Sequence, residues 1–137
     1  MQHIVNELKA LISHGVKTHP LPIKVGNSIR IGPVVIRQCK DKTFLLFDSR
    51  NQDMLGTAYS KHGALAFAKL YNEDRDVSIV ESLDRKFQKY DLDARFYQYS
   101  LDKTKNNVKK DVLDTRLQLA YDELRSITHK LEQLIFY

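Results

Sequence analysis

At 137 residues the chain has room for one domain or two small modules, and 42% hydrophobic with 28% charged residues is the balance of a globular protein. No uncharged run approaches the roughly 18–20 residues needed to cross a bilayer, and Met1-Gln2-His3-Ile4-Val5-Asn6-Glu7 has neither the basic start nor the apolar core of a signal peptide, which predicts a cytoplasmic protein. The single cysteine, Cys39, excludes an internal disulfide and a cysteine cage for zinc, and a net charge of +5 permits nucleic acid as a partner without requiring it.

In chain order, Ile4, Leu8 and Leu11, with Val5 and Ile12 beside them, form a short amphipathic stripe ending at Gly15. This predicts a first helix of about ten residues. Residues 17–27 hold Pro20, Pro22 and Gly26 and read as an extended connector. The character then changes to strand. Residues 28–31 and 34–40 are β-rich and separated by Gly32-Pro33, a turn or a bulge, and Asp41-Lys42 turns the chain into Thr43-Phe44-Leu45-Leu46-Phe47. That run is apolar at successive positions, so both of its faces call for cover. A further strand spans residues 54–59. Ser60 is the predicted N-cap of a helix over residues 61–72, whose Ala64, Ala66 and Ala68 allow close approach to a sheet. Glu73-Asp74-Arg75-Asp76 reads as a charged hinge.

The strongest periodicity follows. Val80, Leu83, Phe87, Tyr90, Ala94, Tyr97 and Leu101 recur at spacings of three and four, and so do Leu113, Leu117, Ala120, Leu124, Ile127, Leu131 and Leu134. Both are a/d seams of long amphipathic helices. They do not share one phase, and the polar stretch Lys103-Thr104-Lys105-Asn106-Asn107 between them suits a turn. The pattern predicts a helical hairpin, an antiparallel coiled coil with arms of about 40 Å. Ser78-Ile79-Val80-Glu81 has the form of a capping box for its start. Glu81–Arg85 and Asp91–Arg95 are expected ion pairs on its surface. The first arm carries a second apolar patch, Leu92, Phe96 and Tyr99, off the main seam. The second arm carries Val112 and Leu119 off its ladder, and the chain closes on Ile135-Phe136-Tyr137. Leaving such aromatics in water forfeits a few kcal/mol, so Leu92, Phe96, Tyr99, Ile135, Phe136 and Tyr137 are the predicted protein interface.

No motif for chemistry stands out. His3, His14, His19, His62 and His129 are scattered without ligand spacing, so no metal is predicted. Cys39 lies in a predicted strand as a small core residue. Asp91 and Asp93 stand two apart on a helix and point to different faces. No phosphate-binding glycine loop occurs. The expectation is no enzyme, no cofactor and no small-molecule substrate. Charge is unevenly placed: residues 81–110 carry eight basic and five acidic side chains, residues 111–137 three and five. Lys103, Lys105, Lys109 and Lys110 gather at the hairpin tip, and Arg37, Lys40, Lys42 and Lys61 lie along the strands and the next helix. These eight are the candidate contacts for nucleic acid, the alternative partner.

Two resemblances add to this. Residues 1–72 resemble, in the order and length of their elements, the double-stranded-RNA-binding domain. Gly56, Ser60-Lys61, Ala64, Ala68 and Leu70 echo that family's last strand and second helix. The likeness implies binding of duplex RNA through lysines at that helix's start; this chain has Lys61 there, followed by His62 and Gly63, and no further basic residue until Lys69. Separately, Ser28-Ile29-Arg30-Ile31-Gly32-Pro33-Val34-Val35-Ile36-Arg37, Phe44-Leu45-Leu46-Phe47-Asp48, the helix through Lys69 and the Tyr90, Phe96-Tyr97 region are similar to small proteins of large tailed phages infecting marine bacteria. This implies a viral setting, host cytoplasm or virion, and a structural or host-interaction role. The expected fold is α+β: a small antiparallel sheet with packed helices over residues 1–76, then a long helical hairpin over 77–137. The expected role is an oligomeric structural or interaction protein.

Overall fold

The computed structural model describes residues 28–136 and the backbone of residues 23–25. The amphipathic stripe at Ile4–Ile12 and the terminal Tyr137 lie outside the described residues. The fold is α+β. Five strands, β1 (Ile23–Val25), β2 (Ser28–Ile31), β3 (Val34–Gln38), β4 (Phe44–Asp48) and β5 (Met54–Ala58), form an antiparallel meander in chain order. The connector at residues 17–27 therefore contributes a strand at Ile23–Val25, which two prolines and a glycine in its composition concealed.

Alternation sets the two faces of the sheet. Ile29, Ile31, Val34, Ile36, Phe44, Leu46 and Ala58 are buried on the inner face. Their neighbours Val35, Leu45 and Phe47 are half-buried on the outer face, where the Arg37 guanidinium lies 5.8 Å from the Phe47 ring centroid. The β2–β3 turn has Gly32 at a φ of 60°, the left-handed first position of a two-residue hairpin, with Pro33 fixing the second. Cys39 sits in the β3–β4 turn, where its N–H donates to the Thr43 carbonyl. It is half-buried there and not part of a strand core. Asp48 ends β4 as a buried carboxylate. It accepts from the Arg50 amide and guanidinium and from the Tyr71 hydroxyl, and these bonds hold its pKa far below the usual carboxylate range, the Arg50 side chain first among them.

Helix α1 (Lys61–Asn72) starts as predicted: the Ser60 hydroxyl accepts from the Gly63 amide at 3.0 Å. Every residue from Gly63 to Ala68, and Leu70, is buried. A helix buried all round lies between two layers. One is the inner sheet face and the other is formed by α2 (Ser78–Lys103) and α3 (Asn107–Phe136). The small side chains of Ala64, Ala66 and Ala68 permit that double approach.

The supposed hinge after α1 is a set of caps. Asp74 has a φ of 53°, the Arg75 amide donates to the Leu70 carbonyl and the Asp74 amide to that of Tyr71. This is a Schellman stop with aspartate in the left-handed place usually held by glycine. Helix α2 is then capped by Asp76, whose carboxylate accepts the Ser78 amide at 3.0 Å. The capping box at Ser78 is not formed; Val77 precedes the helix with α backbone angles and Ser78 is already its first residue. The loop at residues 104–106 reverses the chain, and the Asn106 side chain caps α3 by accepting from Val108 and Lys109.

The two long helices pack against each other, and their contacts fall into two separate clusters. Near the sheet, Val80 and Leu83 of α2 and Ile127, Leu131 and Ile135 of α3 join the main core with α1. Farther out, Ala94, Leu117 and Ala120, with Tyr97, Leu101 and Leu124 packed on them, form a small cluster of α2 and α3 alone. The main core thus draws on residues from both sides of position 76. Lys69 of α1 adds a polar tie at the base, its Nζ donating to the Ile135 carbonyl at 2.6 Å.

Candidate functional site

The tip half of the hairpin is the surface where buried and exposed chemistry diverge most. Its seam is closed by Ala94, Leu117 and Ala120, yet each helix carries further apolar residues pointing away from that seam. On α2, Phe96 and Tyr99 are 64% and 65% exposed, and Leu92 is exposed one turn earlier. On α3, Val108 is 73% exposed, with Val112 and Leu119 exposed beyond it. Spacings of three, four and seven keep each set on one stripe. Counted against the seam, both stripes occupy the outer sides of the helix pair. Two further contacts shape the α2 stripe: the Phe96 ring meets Tyr97 edge-on at 5.8 Å, and the Lys103 ammonium stands 5.6 Å from the Tyr99 ring. Tyr121 of α3, 38% exposed, shares a shallow groove with Tyr99, Ala94 and Gln98.

Of the six predicted interface residues, Leu92, Phe96 and Tyr99 stand exposed together. Ile135 does not belong with them: it is fully buried in the main core, because the last turn of α3 lies against α1. Phe136 is half-buried against the same core.

The predicted nucleic-acid contacts divide into three groups. Lys103, Lys105, Lys109 and Lys110 are all exposed at the tip. Lys42 and Lys61 line one groove near the sheet with Gln38, Asp91 and Arg95, and the exposed Lys40 is close by in the β3–β4 turn. Arg37 lies on the outer sheet face, hydrogen-bonded to Ser28. Twelve residues of α2 separate Asp91 from Lys103, about 18 Å at 1.5 Å per residue, so groove and tip are separate patches.

Beside the groove near the sheet lies a polar node that the sequence did not announce. Asp84 of α2 is buried, and its carboxylate accepts the Tyr59 amide at 2.6 Å, the Ser60 amide at 3.0 Å and the Ser60 hydroxyl at 2.8 Å. This fills the N-terminal end of α1 with the protein's own anion. In the RNA-binding likeness that end would face phosphates; here a carboxylate from α2 occupies it. A Cβ on Gly63 would stand 2.3 Å from Asp84 Oδ1, so the glycine makes room for the carboxylate. A glycine within the first turn of a helix, followed by alanine at three of the next five positions, was the available signal. Next to it the Tyr59 hydroxyl donates to Asp91 at 2.6 Å, and Asp91 also meets Arg95 at 3.2 Å. Burial first, then the Asp91 hydrogen bond, raises the pKa of the phenol, which keeps it a neutral donor. His62 pairs with Glu132 of α3 at 3.3 Å. The Tyr59–Asp91 and His62–Glu132 contacts are ties between elements. Among the described residues no group of three histidine, cysteine, aspartate or glutamate side chains could hold a metal ion, and no helix is long and apolar enough to cross a membrane.

The chain matches no protein-family model, no curated protein and no solved structure.

Proposed function

We propose that this is a non-catalytic structural or interaction protein that self-associates, or docks on a larger assembly, through the tip half of its hairpin. The observation that carries the reading is the exposed stripe Leu92, Phe96, Tyr99 on a helix whose own seam is already closed by Ala94, Leu117 and Ala120. Exposed aromatics of this size, grouped at helical spacing, are characteristic of a protein interface. Two hairpins meeting through this stripe would form a four-helix arrangement. The likeness to phage proteins is the only pointer to a setting, a phage assembly. Sedimentation of the intact chain tests the reading: a concentration-dependent rise above 16.0 kDa that Phe96→Ser abolishes is expected. A clean monomer at tens of micromolar removes self-association.

A second reading rests on the tip lysines. Lys103, Lys105, Lys109 and Lys110 are exposed around the loop, and Tyr99 beside Lys103 offers a face for a base to stack on. If the tip holds nucleic acid, affinity falls steeply with salt and charge reversal at Lys109 and Lys110 flattens that dependence. Absence of binding at low salt removes this reading.

A further inference from the structure

We propose a second binding site, independent of the hairpin tip: the outer edge of β5 and the first turns of α2 form a cleft that takes one extended peptide segment of a partner protein. β5 is the last strand of the meander, and among the described residues no strand lies beyond it. At Tyr59, just past its end, the backbone N–H turns away from β4 and donates to Asp84 of α2. Outward and inward groups alternate along an antiparallel strand, so the N–H and C=O of Thr57 face the same outward side. Asp84 satisfies the amides at 59 and 60, and the open edge therefore begins at Thr57, an exposed residue. Groups of this kind are matched in direction and spacing by another strand.

The cleft beside that edge has a volume of about 430 Å³ and is lined by Thr43, Gly56, Thr57, Glu81, Arg85 and Gln88, among others. Glu81, Arg85 and Gln88 of α2 form the wall that faces this edge across the cleft. From Glu81 to Gln88 the wall runs about 10 Å, the length of three extended residues.

Charge sets what that strand should carry. Glu81 and Arg85 do not form their expected ion pair, and among the described residues neither has another ion-pair partner, whereas Asp91 and Arg95 ten residues on do pair. Four helical residues advance about 6 Å, close to the roughly 6.6 Å between alternate strand residues. The two unpaired charges therefore match a cationic and an anionic side chain two positions apart on one face of the peptide.

The probes are two capped pentapeptides, Thr-Lys-Val-Glu-Thr and Thr-Glu-Val-Lys-Thr, titrated into the full-length ¹⁵N-labelled chain. Expected are shifts at the Thr57 amide, with one charge order bound at least tenfold tighter than the other. Exchanging the wall charges (Glu81→Arg with Arg85→Glu) should reverse that preference. Thr57→Pro removes the outward N–H at an edge position where proline is tolerated, and Gln88→Trp fills the cleft from an exposed helix position. Each should abolish binding at an unchanged melting temperature. Four results overturn the proposal: no shift at Thr57 with millimolar peptide, equal affinity for both orders, retained binding in both folded variants, or a Thr57-dependent doubling of mass, which would put a second copy in the cleft.

Discussion

The base and the tip of the hairpin are written in the same code and come to different ends. Both halves carry apolar residues at spacings of three and four. At the base, those of the ladder join the core of the whole molecule: Leu131 is completely buried among α1, α2 and α3. At the tip, the ladder makes only a small cluster, and the residues beside it stay wet. The cause is length. Helix α1 has 12 residues and α2 has 26, about 18 Å against 39 Å. A layer half as long as its partner covers half of it. Periodicity thus states which side of a helix is apolar, and the neighbouring element decides whether that side becomes core or surface.

Breaking one seam position in each half gives the largest contrast. Leu131→Ala opens a cavity within three packed helices and should cost about 4 kcal/mol, while Leu117→Ala, in a two-helix cluster that can close up, should cost about 2 kcal/mol. Urea unfolding of both variants measures the pair, and equal losses would mean the tip is as fully enclosed as the base. Next in size is the buried node at the base. Gly63→Ala pushes a methyl into Asp84 Oδ1 and should cost about 2–3 kcal/mol by displacing a carboxylate that holds two backbone amides. A double-mutant cycle with Asp84→Ala should show strong coupling. Additive losses would show that Gly63 is needed for some reason other than room for Asp84.

The strands from residue 28 on, the helix after Ser60 and the two long arms were all legible, because each rests on a short-range rule. β-rich composition marked residues 28–31 and 34–40 as strands; Ser60 marked the start of α1; and Asn106-Asn107 located the reversal. What stayed hidden depends on pairings distant in sequence. Nothing near Asp84 tells that it will cap a helix 24 positions earlier, and nothing near Ile135 tells that α1 will cover it. Ile23–Val25 became a strand because β2 offered an edge, against a proline-rich local composition. Caps were the intermediate case. Asp76 and Ser78 are both good capping residues, and the chain used the aspartate, which lies where α1's left-handed stop at Asp74 delivers it. At the tip, Leu92, Phe96 and Tyr99 were identified correctly as surplus because heptad phase alone puts them off the seam.

Acid offers a smaller test on the sheet side of the comparison. The folded pKa of Asp48 lies below its ordinary value of 3.8. Its contribution is therefore fully present above pH 3.8 and is lost as pH falls from there toward the folded value. Asp48→Asn should be less stable than the parent at neutral pH, and the two stabilities should converge as pH drops below 4. A constant difference across that window would show that the Arg50 and Tyr71 bonds do not depend on the charge.

The smallest expected change in stability falls at the tip, and its smallness is informative. Phe96 and Tyr99 are about two-thirds exposed in the single chain, so Phe96→Ser and Tyr99→Ser remove little buried area from the monomer. Each should shift the unfolding free energy by less than about 0.5 kcal/mol when the protein is dilute enough to be monomeric. At higher concentration the parent should gain stability that the variants do not, since a partner that binds only the folded form adds to its apparent stability by mass action. Melting curves across a concentration series separate the two contributions. A concentration-dependent gap between parent and variants locates the contact at this stripe. A gap of the same size at every concentration would mean that Phe96 and Tyr99 support the hairpin itself, and the tip would then be a smaller extension of the core instead of a surface kept for a partner.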